Sequence, residues 1–220
     1  MFPKELWKFV LPFLDLDSIL NGVRLLDNGA KEEAEDYVKS RVFYMLPKYK
    51  GEDKNSGVKY LSEEERGQVK LTIDNGRFLL GGQPFTSGMP NESSPQMQVA
   101  HLFAVDVKGN FFVYTKGMGG SNGSLKVHHS SILAGADVIC AGFIAIKNGK
   151  LLYISNCSGH YQPQVDGLMK AISLMVEKGV VLSNDFEVKY EAPGKLRPTT
   201  YKAKAFIDGT PAVLQNLLLK

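Results

Sequence analysis

The chain has 220 residues, 44% of them hydrophobic and 22% charged, with a net charge of +3. That suits an ordinary globular surface over a real core. No run of Lys or Arg is dense enough to track phosphates, which sets nucleic-acid binding aside. No apolar stretch reaches the roughly 18 residues of a membrane helix, and Cys140 and Cys157 read as reduced thiols rather than a disulfide framework.

The first apolar segment is Pro3–Leu14, where Leu6, Val10, Phe13 and Leu14 fall at helical spacing. Pro3 suits a first turn, and Pro12 ends or kinks the helix. Lys4, Glu5, Lys8 and Asp15 interrupt the segment and no small-residue cleavage site follows, so no signal peptide is expected. Asp17 or Ser18 can cap a second short helix holding Ile19, Leu20 and Val23. Asn28-Gly29 marks a turn, and the spacing predicts a third helix from Lys31 to Leu46, stopped by Pro47. Three short helices over residues 1–50 bury too little to stand alone, so this head should lean on the rest of the chain or on a partner.

The run Phe2-Pro3-Lys4-Glu5-Leu6-Trp7-Lys8-Phe9-Val10-Leu11-Pro12-Phe13-Leu14-Asp15-Leu16 resembles an F-box. Phe2, Pro3, Glu5, Leu6, Val10, Leu11, Leu14 and Leu16 lie in the register of that motif. The family's following Val-Cys-Arg-Arg-Trp-like stretch is reduced to Val23-Arg24-Leu25. The resemblance implies that Pro3, Leu6, Val10, Leu11, Leu14 and Leu16 dock on the adaptor subunit of a cullin–RING ubiquitin ligase. An amphipathic helix packed on its own domain would carry the same apolar stripe.

Lys, Gly, Asp, Asn and Ser cluster over Lys48–Gly57, and residues 51–57 read as a linker to a second domain at 58–220. There, strand character recurs at Val69–Ile73, Arg77–Leu80, His101–Val107, Asn110–Thr115, Leu125–His129, Val138–Ile146, Lys150–Ser155, Glu187–Tyr190 and Thr200–Ile207. Asn75-Gly76 and Asn148-Gly149 suit two-residue hairpins and Lys108-Gly109 suits one less well, so the sheet should be mainly antiparallel. Gly82–Gln98 reads as a loop, and Glu63-Glu64-Glu65 as a solvated helix start. A helix is predicted over Pro163–Glu177, burying Val165, Leu168, Met169, Ile172, Met175 and Val176 and ending at Gly179. A last helix should begin at Thr210-Pro211. The fold class expected is therefore α+β: a three-helix head, then a mainly antiparallel sheet with one or two packing helices.

Two polar turns carry the chemically capable side chains. One is Val127-His128-His129-Ser130-Ser131-Ile132-Leu133-Ala134-Gly135. The other is Ser155-Asn156-Cys157-Ser158-Gly159-His160-Tyr161-Gln162-Pro163, just ahead of a helix. With Tyr60–Arg66, the aromatic strands at Phe103 and Phe111–Tyr114, and Ala141-Gly142, these turns follow in the order of the module of plant IQM calmodulin-binding proteins, which the chain resembles from Tyr60 to Pro163. Modules of this kind also occur in bacterial proteins that are candidate effectors. The resemblance implies no established reaction. The Ile-Gln motif with spaced Arg residues, through which the plant proteins bind calmodulin, is absent, so calmodulin binding does not carry over.

The residues leave four readings open. Cys157 could act as a nucleophile with His129 or His160 as base. His128, His129 and His160 could ligate a metal, but neighbouring histidines on a strand point to opposite faces, no acidic residue is well spaced, and no metal site is assigned. His129, Ser130, Ser131, Asn156, Ser158, His160 and Tyr161 could line a pocket for a nucleotide-like or phosphorylated molecule, as in a transferase, although no catalytic glutamate of the ADP-ribosyltransferase type can be placed. The same side chains could instead form a buried network locking the hairpin to the helix. The expectation is a non-catalytic, cytoplasmic substrate-receptor adaptor of a ubiquitin ligase, without a cofactor, that captures a target protein. If its source is bacterial, it acts as an effector in a host cell. The alternative is a small-molecule-binding or transferase-type module.

Overall fold

The computed structural model describes residues 42–47, 49, 57–87, 101–114, 126–182, 186–191 and 199–208. In chain order the elements are α1 (Glu63–Gln68), β1 (Lys70–Asp74), β2 (Arg77–Leu80), β3 (Gln83–Pro84), β4 (His101–Asp106), β5 (Phe111–Tyr114), α2 (His129–Ile132), β6 (Val138–Lys147), β7 (Lys150–Ser155), α3 (Val165–Glu177), β8 (Glu187–Tyr190), β9 (Thr199–Lys202) and α4 (Ala203–Asp208). The nine strands form one sheet in the order β3-β2-β1-β5-β4-β6-β7-β8-β9.

This overturns the expected α+β class. The described residues are mostly sheet, curled into a half-barrel, and only α3, with 13 residues, is a helix of any length. No three-helix head is present among the described residues. Most of the segment proposed for it, residues 1–41, lies outside them, as do the helix expected from Thr210 and the linker residues 51–56. Where the third head helix should finish, Phe43 is extended instead. It exchanges hydrogen bonds with Val138 in both directions, 2.7 and 3.0 Å, as an isolated antiparallel bridge beside β6. Pro47 sits in a helical turn rather than closing a helix. Helical propensity yields here to burial: Phe43 and Met45 enter the core of the sheet domain.

Local chemistry accounts for the hairpins. Asn75 and Gly76, and likewise Asn148 and Gly149, all adopt positive φ, as tight primed turns require. In the β4–β5 turn, Asp106 supplies what the sequence signal lacked. Its carboxylate accepts from the Lys108 and Asn110 backbone N–H groups and from the Asn110 side chain. A segment beyond β3 curls the sheet. Phe85 N–H donates to Phe78 O, Gly149 N–H donates to Phe85 O, and Ser87 N–H donates to Ile146 O, tying one end of the sheet to the β6–β7 hairpin.

Alternation along the strands makes two cores. Phe103, Val105, Phe111, Val113, Ile144 and Ile154 face α3, where Leu168, Met169, Ile172 and Met175 are fully buried. Leu102, Ala104, Phe112, Tyr114 and Ala141 face the other way, toward Phe43, Leu61, Ile132 and Tyr161. A register shift between Val105 and Asp106 puts both Ile139 and Cys140 on the α3 side. Helix α3 is a crossover: β8 pairs with β7 in parallel, the one parallel ladder of the described sheet. It lies so close that a Cβ on Gly167 would fall 2.5 Å from the Phe43 ring and 2.6 Å from the Ile139 carbonyl oxygen.

Candidate functional site

Both polar turns meet on the face away from α3. Of the expected strand Leu125–His129, the described residues 126–129 form no strand. Lys126 makes only an isolated bridge to Val58, and His129 opens the short helix α2. This turn is built from within: Ser131 Oγ accepts from His128 N–H at 3.0 Å, and Ser130 O accepts from Gly135 N–H at 2.8 Å. From outside, Leu61 N–H, next to the cap of α1, donates to Ser131 O at 3.0 Å. Ser130 and Ser131 are fully buried, so their hydroxyls do not face solvent.

Because His129 starts a helical turn, the two neighbouring imidazoles diverge. His129 turns inward, 6% exposed. Its Nε2 lies 2.8 Å from the Gly142 carbonyl oxygen, so that nitrogen carries the hydrogen and donates. The ring meets Phe143 edge-on at 5.2 Å. Burial pushes its pKa down to about 4, with His160 and His128 pushing the same way and the Gly142 hydrogen bond opposing. His129 is therefore neutral at physiological pH. Gly142 permits the arrangement: a Cβ there would fall 2.0 Å from the Ser155 carbonyl oxygen, where β7 crosses β6.

His128 turns the other way and stacks on His160 at 4.7 Å, and His160 stacks in turn on Tyr49 at 4.3 Å. The three half-buried rings form a short pile that joins the two polar turns to the segment before them. The His160 carbonyl accepts from Leu46 N–H at 2.9 Å. Tyr161 is buried, and its hydroxyl donates to Ala136 O at 2.8 Å, a second tie between the turns.

The other expected site residues point elsewhere. Asn156 is 2% exposed and behaves like a peptide group set into a sheet. Its Nδ2 donates to Pro163 O at 2.7 Å and Glu191 O at 3.0 Å, and its Oδ1 accepts from Glu191 N–H at 2.7 Å. This fixes the entry to α3 and the end of β8. Ser158 is buried, and its Oγ has no hydrogen-bond partner among the described residues. Cys157 is half-buried, and burial together with the Glu191 carboxylate pushes its thiol up to about 11, so it stays protonated at neutral pH. Among the described residues no three His, Cys, Asp or Glu side chains converge to hold a metal ion. Pro3, Leu6, Val10, Leu11, Leu14 and Leu16 lie outside the described residues.

Tyr49 and Phe143 belong to this cluster without any sequence signal. Tyr49 stands at the end of the expected head, past its third helix, and Phe143 in an ordinary strand. Gly142 was legible only as part of the Ala141-Gly142 pair.

Fold and cluster together define a mostly-β domain whose two polar turns are fastened by internal histidine, asparagine and tyrosine bonds. Residues 65–168 match the family model described as the IQ motif-containing protein middle domain. The match runs from α1 through β7 into the first turn of α3. It takes in both polar turns and leaves β8, β9 and α4 outside. The relatives include three Arabidopsis thaliana proteins, each 28% identical to this chain. IQ domain-containing protein IQM3 aligns over 131 residues, 60% of this chain and 27% of its own length. IQM2 aligns over 130 residues, 58% and 20%, and IQM1 over 127 residues, 58% and 24%. The chain thus spans about a quarter of these curated relatives. No solved structure matches it significantly.

Proposed function

We propose that the chain is a non-catalytic adaptor whose IQM middle domain presents a rigid surface to a protein target. One observation carries the reading: His129, Asn156 and Tyr161, three of the candidate side chains, are engaged inside the fold. His129 donates to a strand carbonyl and is held neutral, Asn156 is saturated by backbone, and Tyr161 donates to Ala136 O. The thiol of Cys157 is held well above neutrality. A nucleophile or general base has to meet the reacting atom of a substrate, and these buried groups are committed to contacts inside the fold instead.

The second half of the reading concerns the N-terminal run. Phe2, Pro3, Glu5, Leu6, Val10, Leu11, Leu14 and Leu16 keep the F-box register, and an apolar helical stripe of this kind fills a groove on a partner. The proposed partner is the adaptor subunit of a cullin–RING ubiquitin ligase, with the IQM middle domain holding the protein to be ubiquitinated. Such an adaptor works in the cytoplasm of a eukaryotic cell; one made by a bacterium works there as a delivered effector.

The test is a pull-down of the purified chain with the recombinant ligase adaptor, comparing wild type with Leu6→Asp/Leu14→Asp. Saturable binding that the double variant loses, while its melting curve is unchanged, supports the reading. No binding by folded wild type refutes the ligase partner, and a nucleotide that raises the melting temperature of wild type but not of His160→Ala would move the function to the turn cluster.

A further inference from the structure

We propose that β9 is an interface strand on which a second copy of this chain pairs antiparallel, joining two half-barrels into one continuous sheet. The inference is independent of the adaptor reading. β9 ends the strand order, with β8 on one side and no neighbour on the other among the described residues. Its four residues, Thr199 to Lys202, are all exposed. The opposite end of the sheet is blunted. β3 has two residues, of which Pro84 brings no N–H, and the chain beyond it is bonded to the β6–β7 hairpin through Phe85 and Ser87. β9 carries no such device. It contains no proline and no register shift, and the ammonium of Lys202 leans back on Glu187 of β8 at 2.9 Å.

Backbone alternation fixes which groups this edge offers. Ala203 N–H donates to Phe186 O at 2.9 Å, and the β8–β9 register sets Val188 opposite Tyr201 and Tyr190 opposite Thr199. Hydrogen-bonded and non-hydrogen-bonded pairs alternate along an antiparallel ladder. Tyr201 and Thr199 therefore bond β8, while both the N–H and the C=O of Thr200 face outward. Such a residue is self-complementary about a two-fold axis: Thr200 of one copy exchanges two hydrogen bonds with Thr200 of the other. The facing threonines are a favourable cross-strand pair. Tyr201, 36% exposed and resting on Phe206, then lies opposite Thr199 of the other copy. The other registers are poorer. An axis at Lys202 sets two ammonium groups opposite each other. An axis at Tyr201 pairs Thr200 with Lys202, whose carbonyl precedes α4 and takes the first hydrogen bond of that helix. The Thr200 axis keeps the two Lys202 Cα atoms about 13 Å apart. So short a ladder makes a weak dimer, with a dissociation constant of about 0.1 mM.

The experiment is sedimentation equilibrium of the whole chain up to about 0.5 mM, where wild type should be mostly dimeric. Thr200→Pro is the paired variant. The Thr200 N–H does not bond β8, so proline there spares the internal ladder and removes the outward donor. That variant should fold and stay monomeric. A wild type that stays monomeric overturns the proposal and leaves the edge to an extended segment of another protein, and a Thr200→Pro dimer overturns it as well. If the proline variant does not fold, cross-linking decides. Thr200→Cys should give a disulfide-linked dimer under mild oxidation, because the facing Cα atoms lie about 5.5 Å apart. Lys202→Cys should not, and wild type, with Cys140 buried and Cys157 half-buried, sets the background. Equal yields from the two cysteine variants overturn the pairing about Thr200.

Discussion

Acid should destabilise the whole domain through His129, and the size of the effect follows from its surroundings. The imidazole titrates at about 4 in the folded chain against 6.5 when free. The unfolded state therefore takes up the proton first as pH falls. Stability from the neutral form is fully present above about 6.5 and is lost progressively down through 4. At pH 5 the unfolded state is nearly fully protonated at this site and the folded state about one-tenth so, a cost of about 2 kcal/mol relative to pH 7.5. For a chain of this size that corresponds to a melting temperature lower by roughly 4–8 °C.

The control is His129→Gln, which retains an amide N–H for the Gly142 carbonyl and cannot titrate. It separates this histidine from His101, whose pKa burial also lowers. Urea denaturation from pH 7.5 to 5 should show wild type losing about 2 kcal/mol more than the variant. Parallel curves for the two proteins would refute the assignment of a buried, neutral His129, as would a wild-type midpoint that does not move.

Two further predictions rest on packing and hydrogen bonding. Gly142→Ala drives a methyl to 2.0 Å from the Ser155 carbonyl oxygen, where backbone rather than a flexible side chain must move. We expect a loss of about 3 kcal/mol or more, read as a drop in melting temperature or as insoluble expression. A variant within 2 °C of wild type would mean that the β6–β7 crossing is looser than described. Asn156→Asp sets a carboxylate against the Pro163 and Glu191 carbonyls that the amide now donates to. It should destabilise at pH 7 by more than the about 1–3 kcal/mol of a lost buried partner, with part of the loss recovered as the carboxyl protonates. Urea midpoints at pH 7 and pH 5 check this, and Asn156→Ala should show no such recovery.

The N-terminal run that resembles an F-box shows how far a sequence motif reaches, since its residues lie outside those described and its register alone supports the resemblance. The two polar turns are a different case. Both were picked out by composition, and the fold does bring His128, His160, Tyr161 and Ala136 together. Their direction was not legible: burial turned Ser130, Ser131 and Asn156 inward, and Asn156 bonds the Glu191 backbone 35 residues along the chain. A backbone carbonyl such as Gly142 or Glu191 has no sequence signature, so half of every such bond is invisible beforehand.

What the sequence by itself determined is local. Asn75-Gly76 and Asn148-Gly149 demand positive φ and so set two hairpins, Ser62 with Glu65 caps α1 in both directions, and the apolar stripe of α3 fixes its buried face. Tertiary structure decided what depends on distant partners. Phe43 is extended because Val138 offers a strand edge. The expected strand Thr200–Ile207 stops at Lys202 and turns into α4 at Ala203, whose N–H bonds Phe186 O. His129 starts a helix because its ring finds the Gly142 carbonyl. Turn and cap preferences act over a few residues and survive in any surroundings, whereas a buried polar group takes whatever conformation its distant partner requires of it.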